Sequence, residues 1–101
     1  MIRHVLMVKF KPTLTEEQIS AVIDGWIDRW ENDFPTRYRG LQAVTYGRDL
    51  GLRDGNMSFA AMFDFEDEES LVAFDTDDHH NWLRQQAAPF IERAERCQFR
   101  L

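Results

Sequence analysis

The 101-residue chain contains one cysteine, three prolines and three histidines. With Cys97 alone, no intrachain disulfide can form and no zinc cage can be built from several thiolates; the residue reads instead as a small apolar side chain in a strand. No apolar run approaches the roughly 20 residues that span a bilayer. The opening MIRHVLMVKF is too short and too regularly alternating for an export h-region. These absences point to the reducing cytoplasm. Basic residues are also scarce, 12 Lys and Arg against 18 Asp and Glu, for a net charge of −6. That balance speaks against binding either a nucleic-acid backbone or an anionic membrane. The glycines at 47, 51 and 55 lack the strand–helix spacing of a dinucleotide or P-loop fingerprint and read as turn residues. No motif calls for a cofactor.

What is present is a foldable balance, 44% hydrophobic and 30% charged residues. The length predicts one domain over residues 1–101, able to bury roughly two thirds of its unfolded surface without a staple. Residues 2–10 alternate as a strand, with Ile2, His4, Leu6, Val8 and Phe10 on one face and Arg3, Val5, Met7 and Lys9 on the other. A helix follows. Thr15 and Gln18 form a capping box, and Ile19, Val22, Ile23, Trp26, Ile27 and Trp30 make an apolar stripe at helical period. Pro35 should end it.

A second strand is expected from about Leu41 to Asp49, and a third over MSFAAMFDF, with Phe59, Ala61, Phe63 and Phe65 on one face. Asp67 should cap a short helix that turns Leu71 and Phe74 inward. A further helix is predicted from about Asp78 through Arg93, kinked at Pro89. RCQFRL then closes the chain as a fourth strand, with Cys97, Phe99 and Leu101 on one face.

The resulting order β-α-β-β-α-β is an α+β, ferredoxin-like sandwich with helices on one face of the sheet. The other face, carrying Val5, Met7, Ala60 and Met62, is partly apolar and needs its own cover. A second subunit stacked sheet on sheet would supply it, so a homodimer through these residues is expected.

The segments MIRHVLMVKFKPTLTEEQ, YGRDLGLRDGN and DDHHNWLRQQAAPFIER, in this order and spanning almost the whole chain, resemble the stress-responsive dimeric A/B barrel (Dabb) family. The resemblance implies a ferredoxin-like protomer in a dimeric α+β barrel. Most family members have no assigned reaction. One is a plant polyketide cyclase that performs an aldol closure with histidines in a cavity between sheet and helices. Its two histidines match His4 and His80. A tyrosine of that cavity matches Phe74, and a third histidine matches Phe59. Both of these departures put a phenyl ring where the cyclase has a hydrogen-bonding group.

TDDHHNWLRQ, residues 76–85, sets Asp77 and Asp78 against His79 and His80. Neighbouring residues on a helix diverge by about 100°, so these four side chains fan out and no metal site is expected. Asp77 or Asp78 should cap the helix, whose positive end favours carboxylates. His80 falls in line with Leu83, Ala87 and Ile91 on the buried stripe, whereas His79 sits at its edge, nearer solvent. His4 faces the helices from the first strand. Two imidazoles turned into one apolar interior must either hydrogen-bond to each other or to backbone, or line a cavity, because an unpaired buried polar group costs about 1–3 kcal/mol. Burial would keep them neutral near pH 7.

The function expected is that of a homodimeric A/B barrel protein of unassigned activity, with a cavity for a small apolar or aromatic ligand lined by Phe59, Phe63, Phe74, Trp26 and Leu83. The alternative is a cyclase or isomerase in which His80 is the general base and His4 orients it or polarises a carbonyl. A haem or quinol monooxygenase, with His4 and His80 as axial ligands, is a third reading. Arg48 and Arg53, near the glycine-rich loop, read equally as receivers of an acidic group and as ordinary exposed surface arginines.

Overall fold

The structure, a computed structural model, describes residues 1–101. Its elements are β1 (Ile2–Phe10), α1 (Glu16–Asn32), the short α2 (Phe34–Arg37), β2 (Leu41–Arg48), β3 (Phe59–Phe65), α3 (Glu68–Asp75), α4 (Asp78–Ala87) and β4 (Ile91–Arg100). The four strands form one antiparallel sheet in the order β2-β3-β1-β4. This is the ferredoxin-like β-α-β-β-α-β fold, with α3 and α4 together filling the second helical position.

Local chemistry accounts for the helix starts. Thr15 Oγ1 accepts from the Gln18 amide at 3.2 Å while Gln18 Oε1 accepts from the Thr15 amide at 2.8 Å, completing the capping box. Asp67 caps α3 by accepting from the Ser70 amide. Of the two aspartates before α4, Asp77 is the cap, accepting from the His80 amide at 3.3 Å.

The two prolines act differently from expectation. Pro35 lies in the first turn of α2, where its missing amide is no loss. Pro89 does not kink a helix running to Arg93. Instead, α4 ends at Ala87, a single 3₁₀ turn spans Ala88–Phe90, and β4 begins at Ile91. The cause is the length of its partner: β1 offers nine residues of ladder, and β4 pairs along all of it, from Ile2↔Arg100 to Phe10↔Ile91. Ile91 therefore reaches the core from a strand, not from the helical stripe that also holds His80.

On the side of the sheet facing the helices, Ile2, His4, Val8, Phe10, Phe59, Ala61, Phe63 and Phe65 are buried. Ile23, Trp30, Phe34, Tyr38, Leu71 and Phe74 meet them from the helical layer and the turn after α2. Rings dominate this interface, and Phe34, Phe65 and Phe74 are almost wholly enclosed. On the opposite side of the sheet, cross-strand rows run Met62–Val5–Cys97 and Ala60–Met7–Glu95. There Met7 and Phe99 are exposed, and Arg3 forks onto Asp64 at 2.8 and 2.9 Å. No helix is long and apolar enough to cross a membrane.

Candidate functional site

A cavity of about 620 Å³ lies between the helix-facing side of β1 and β4 and the helices α1 and α4. Small residues make room for it. Ala21 and Gly25 on α1 and Ala87 at the end of α4 lie on its walls, and a Cβ added at Gly25 would meet nothing within 4 Å. Only the large apolar residues of α1 stand out at the sequence level; the gap depends on the small ones between them.

His4, Trp26, Phe63, Phe74, His80 and Leu83 all border the cavity. Phe59 does not. It sits behind the cavity wall, with centroids 6.0 Å from both Trp26 and Trp30 and 6.5 Å from Tyr46. It shares the inner face with Phe63 but lies four residues along the strand, where Trp30 and Tyr46 cover it.

The two imidazoles are held differently. His4 Nδ1 lies 2.9 Å from Gln98 Nε2, which also lies 2.8 Å from Asp75 Oδ2. A carboxylate only accepts, so the Gln98 atom facing Asp75 is the amide nitrogen. That nitrogen then donates to His4 Nδ1 and leaves the ring proton of His4 on Nε2. Arg84 braces Asp75 in turn, bonding its backbone oxygen and its Oδ1, each at 3.1 Å. Burial lowers the pKa of His4 despite the nearby Asp75 carboxylate, and Arg84 and Arg96 push it the same way as burial does.

His80 enters from the first turn of α4, its ring centroid 4.0 Å from that of Phe74. Phe74 is also 6.0 Å from His4, so one phenyl ring touches both imidazoles. His80 Nδ1 is buried and has no hydrogen-bond partner. Burial, followed by the charge of Arg84, lowers its pKa to about 4. Both rings are therefore neutral at pH 7. The lone pair of His80 is free, as a general base requires, whereas that of His4 accepts from Gln98.

The rest of TDDHHNWLRQ separates from the cavity. His79 turns to the surface, its Nε2 3.4 Å from Asp33 and its ring stacked on Trp82. Asp77 accepts from the Tyr38 hydroxyl at 2.7 Å while capping α4. Burial and this bond raise the Tyr38 pKa, and the same hydroxyl lowers that of Asp77. Asp77 thus ties the start of α4 to the end of α2, and so helps set the depth at which His80 enters. Nowhere do three or more His, Cys, Asp or Glu side chains converge in a way that could hold a metal ion.

Neither arginine near the glycine-rich loop reaches the cavity. Arg48 is committed to Glu16 at the start of α1, and Arg53 lies on the exposed loop between β2 and β3. Asp49 organises that loop instead, accepting from the Gly51 amide at 2.9 Å and the Asn56 side chain at 3.0 Å. The cationic groups that do line the cavity are Arg29, Arg84, Arg93 and Arg96. Arg96 lies within the expected last strand, on the face opposite Cys97 and Phe99, and its pairing with Leu6 of β1 turns that face towards the helices.

Residues 2–99 match the family described as the Stress Responsive A/B Barrel Domain. No curated protein matches the chain. Among solved structures, a dimeric ferredoxin-like protein of unknown function from Thermobifida fusca is 28% identical. The match covers 99% of this chain and 90% of that one, with a TM-score of 0.80. Hydroxynitrile lyase from Passiflora edulis is 17% identical over 97% of this chain and 90% of that one, with a TM-score of 0.77. SnoaB, a cofactor-independent oxygenase from Streptomyces nogalater, is 14% identical over 99% and 91%, with a TM-score of 0.71.

Proposed function

The chain belongs to the stress responsive A/B barrel domain family, and from this premise we propose that it is a cytoplasmic homodimer that binds a small, largely apolar molecule between sheet and helices. Residues 1–101 act as one domain. We further propose that it moves a proton at a carbon beside the ligand's carbonyl. One observation carries this reading: two neutral imidazoles, one with a defined tautomer, border the same apolar cavity.

The roles divide by hydrogen bonding. The Nδ1 lone pair of His4 is engaged by Gln98, so His4 presents Nε2–H as a donor to a carbonyl oxygen. His80 is tied by no side-chain hydrogen bond and is the base. It takes the proton from the α-carbon, and the electron pair of the C–H bond moves into the enolate, whose oxygen is held by His4. The negative charge formed in the cavity offsets the cost of an imidazolium there. Without that charge, a base with a pKa of about 4 would be a weak one. Trp26, Phe63, Phe74 and Leu83 supply the apolar bed. Two proteins of the same fold, one named a lyase and one a cofactor-independent oxygenase, support a fold that can carry catalysis.

The dimer reading is supported by the outer sheet face, where Met7 is 39% and Phe99 44% exposed, and by the neighbour described as dimeric. Val5, Met7, Ala60 and Met62 form the proposed contact. Sedimentation should give about twice the 12.0 kDa chain mass, and Met7→Glu should reduce it to the monomer.

Catalysis is tested by deuterium uptake at the α-carbon of small aryl ketones in D2O, followed by proton NMR. His80→Ala should lower the rate by about 100-fold or more with the circular dichroism spectrum unchanged. Exchange that persists at the wild-type rate removes His80 as the base.

A further inference from the structure

In a chain of net charge −6, this cavity is bordered by four arginines and by Glu92 as its sole carboxylate. Two of the arginines are already neutralised: Arg84 by Asp75 at 3.1 Å, and Arg93 by Glu95 at 2.9 Å. Arg29 and Arg96 form no ion pair and no side-chain hydrogen bond. Arg29 leaves α1 beside Trp82 of α4, its guanidinium carbon 5.7 Å from the indole centroid. Arg96 is the more informative. It pairs across the strands with Leu6, flanked on its own strand by Ala94 and Gln98, which pair with Val8 and His4. It therefore stands on the helix-facing side of β4, one pair along from the His4–Gln98 bond. β4 is an edge strand and Arg96 is itself exposed, so its guanidinium is open to a ligand at the mouth of the cavity; Arg3, Arg37, Arg48 and Arg100 each hold a carboxylate, and Arg96 holds none. Glu92 lies four residues away at the bulge opposite Lys9 and Phe10, the far end of the cavity from His4.

We infer that the ligand is an amphiphilic carboxylate, with an aromatic or aliphatic body among Trp26, Phe63 and Phe74 and its carboxylate forked onto Arg96 beside His4. This rests on the cavity reading above and narrows it to a ligand class. A carboxylate fits better than a phosphate monoester, because only one unpaired guanidinium stands at the His4 end. Arg29, across the opening, adds attraction on approach rather than a second anchor. The arrangement would also orient the ligand, since a charge fixed at Arg96 sends the apolar body away from β4 and past the two imidazoles.

The test compares 2-naphthoate with the neutral 2-naphthalenemethanol, using titration calorimetry and the ring signals of His4 and His80 in NMR spectra. The carboxylate should bind about tenfold more tightly, the size of one charge-assisted fork. Arg96→Gln should abolish that preference while leaving the affinity for the alcohol intact. Arg96→Lys should keep part of it, and Arg48→Gln, outside the cavity, should keep all of it. Equal binding of the two probes, or a preference that survives Arg96→Gln, overturns the inference while leaving the cavity reading in place. If neither probe moves the histidine signals, the cavity reading itself fails and takes the inference with it.

Discussion

The cavity has a sheet wall and a helix wall, and each presents one imidazole under opposite terms. On the sheet wall, His4 is held in a chain that runs through Gln98 to Asp75 and Arg84, so its ring has one tautomer and one orientation. On the helix wall, His80 is placed by its backbone, through the Asp77 cap, and by the face of Phe74, while its Nδ1 lacks any partner. A satisfied imidazole is a fixed donor. An unsatisfied one is destabilised in the empty protein and can gain from a ligand. The contrast separates the residue that holds an oxygen from the residue that accepts a proton.

Removing what the walls share has the largest expected effect. Phe74 is almost fully buried and touches both imidazoles, so Phe74→Ala should cost about 3–5 kcal/mol in urea unfolding. A loss below about 1 kcal/mol would mean that the rings are not packed around it.

A smaller effect, but one of opposite sign on the two walls, is expected from leucine substitutions. His4→Leu takes the acceptor from one N–H of Gln98, an exposed side chain that keeps Asp75, and should destabilise the fold by no more than about 1 kcal/mol. His80→Leu removes an unpaired polar atom and should leave stability unchanged or raise it, even as it removes the proposed base. Equal losses at both positions would erase the distinction.

Acid should act on the same contrast. The folded pKa of His80 is about 4 against an ordinary 6.5, so below 6.5 the unfolded chain binds protons that the folded chain does not. The stabilisation from keeping His80 neutral is complete above pH 6.5 and is lost as pH falls from there towards 4. His4 is shifted in the same direction. Stability curves of the wild type and His80→Leu should therefore converge towards higher pH for this term and separate in that window, with the wild type falling faster. Parallel curves would place His80 in solvent.

The smallest effect is a redistribution of one proton. Gln98→Leu should leave the fold intact and release the His4 ring from its single tautomer. In nitrogen-15 spectra of the wild type, Nε2 should carry the proton, and in the variant the proton should be shared between the two nitrogens. A wild-type ring protonated on Nδ1 would reverse the assigned roles.

Local signals account for much of this molecule. Alternation placed β1 and β3 and put His4 on the inner face; the Thr15–Gln18 box and Asp67 placed two helix starts. At Pro89 local pattern and structure part, because residues 91–95 carry no local preference strong enough to outweigh the demand of β1 for a partner along its whole length. Arg96 and Gln98 fall inside the expected last strand, but alternation does not say which of its faces meets the helices, and it is their pairing with Leu6 and His4 that puts them beside the cavity. Phe59 shares the inner face with Phe63 yet stands off the cavity, because strand period reports the face a residue is on but not what covers it.

Periodicity, capping and chain order by themselves determined a ferredoxin-like sandwich with His4 and His80 both turned inward, because these depend on neighbours within a few residues. The tertiary structure alone decided that small residues on α1 and α4 leave a gap. It also decided that Gln98 bridges His4 to Asp75 and that Arg96 stands without a carboxylate. Each of these depends on partners up to 94 residues apart, brought together by packing that no local pattern records.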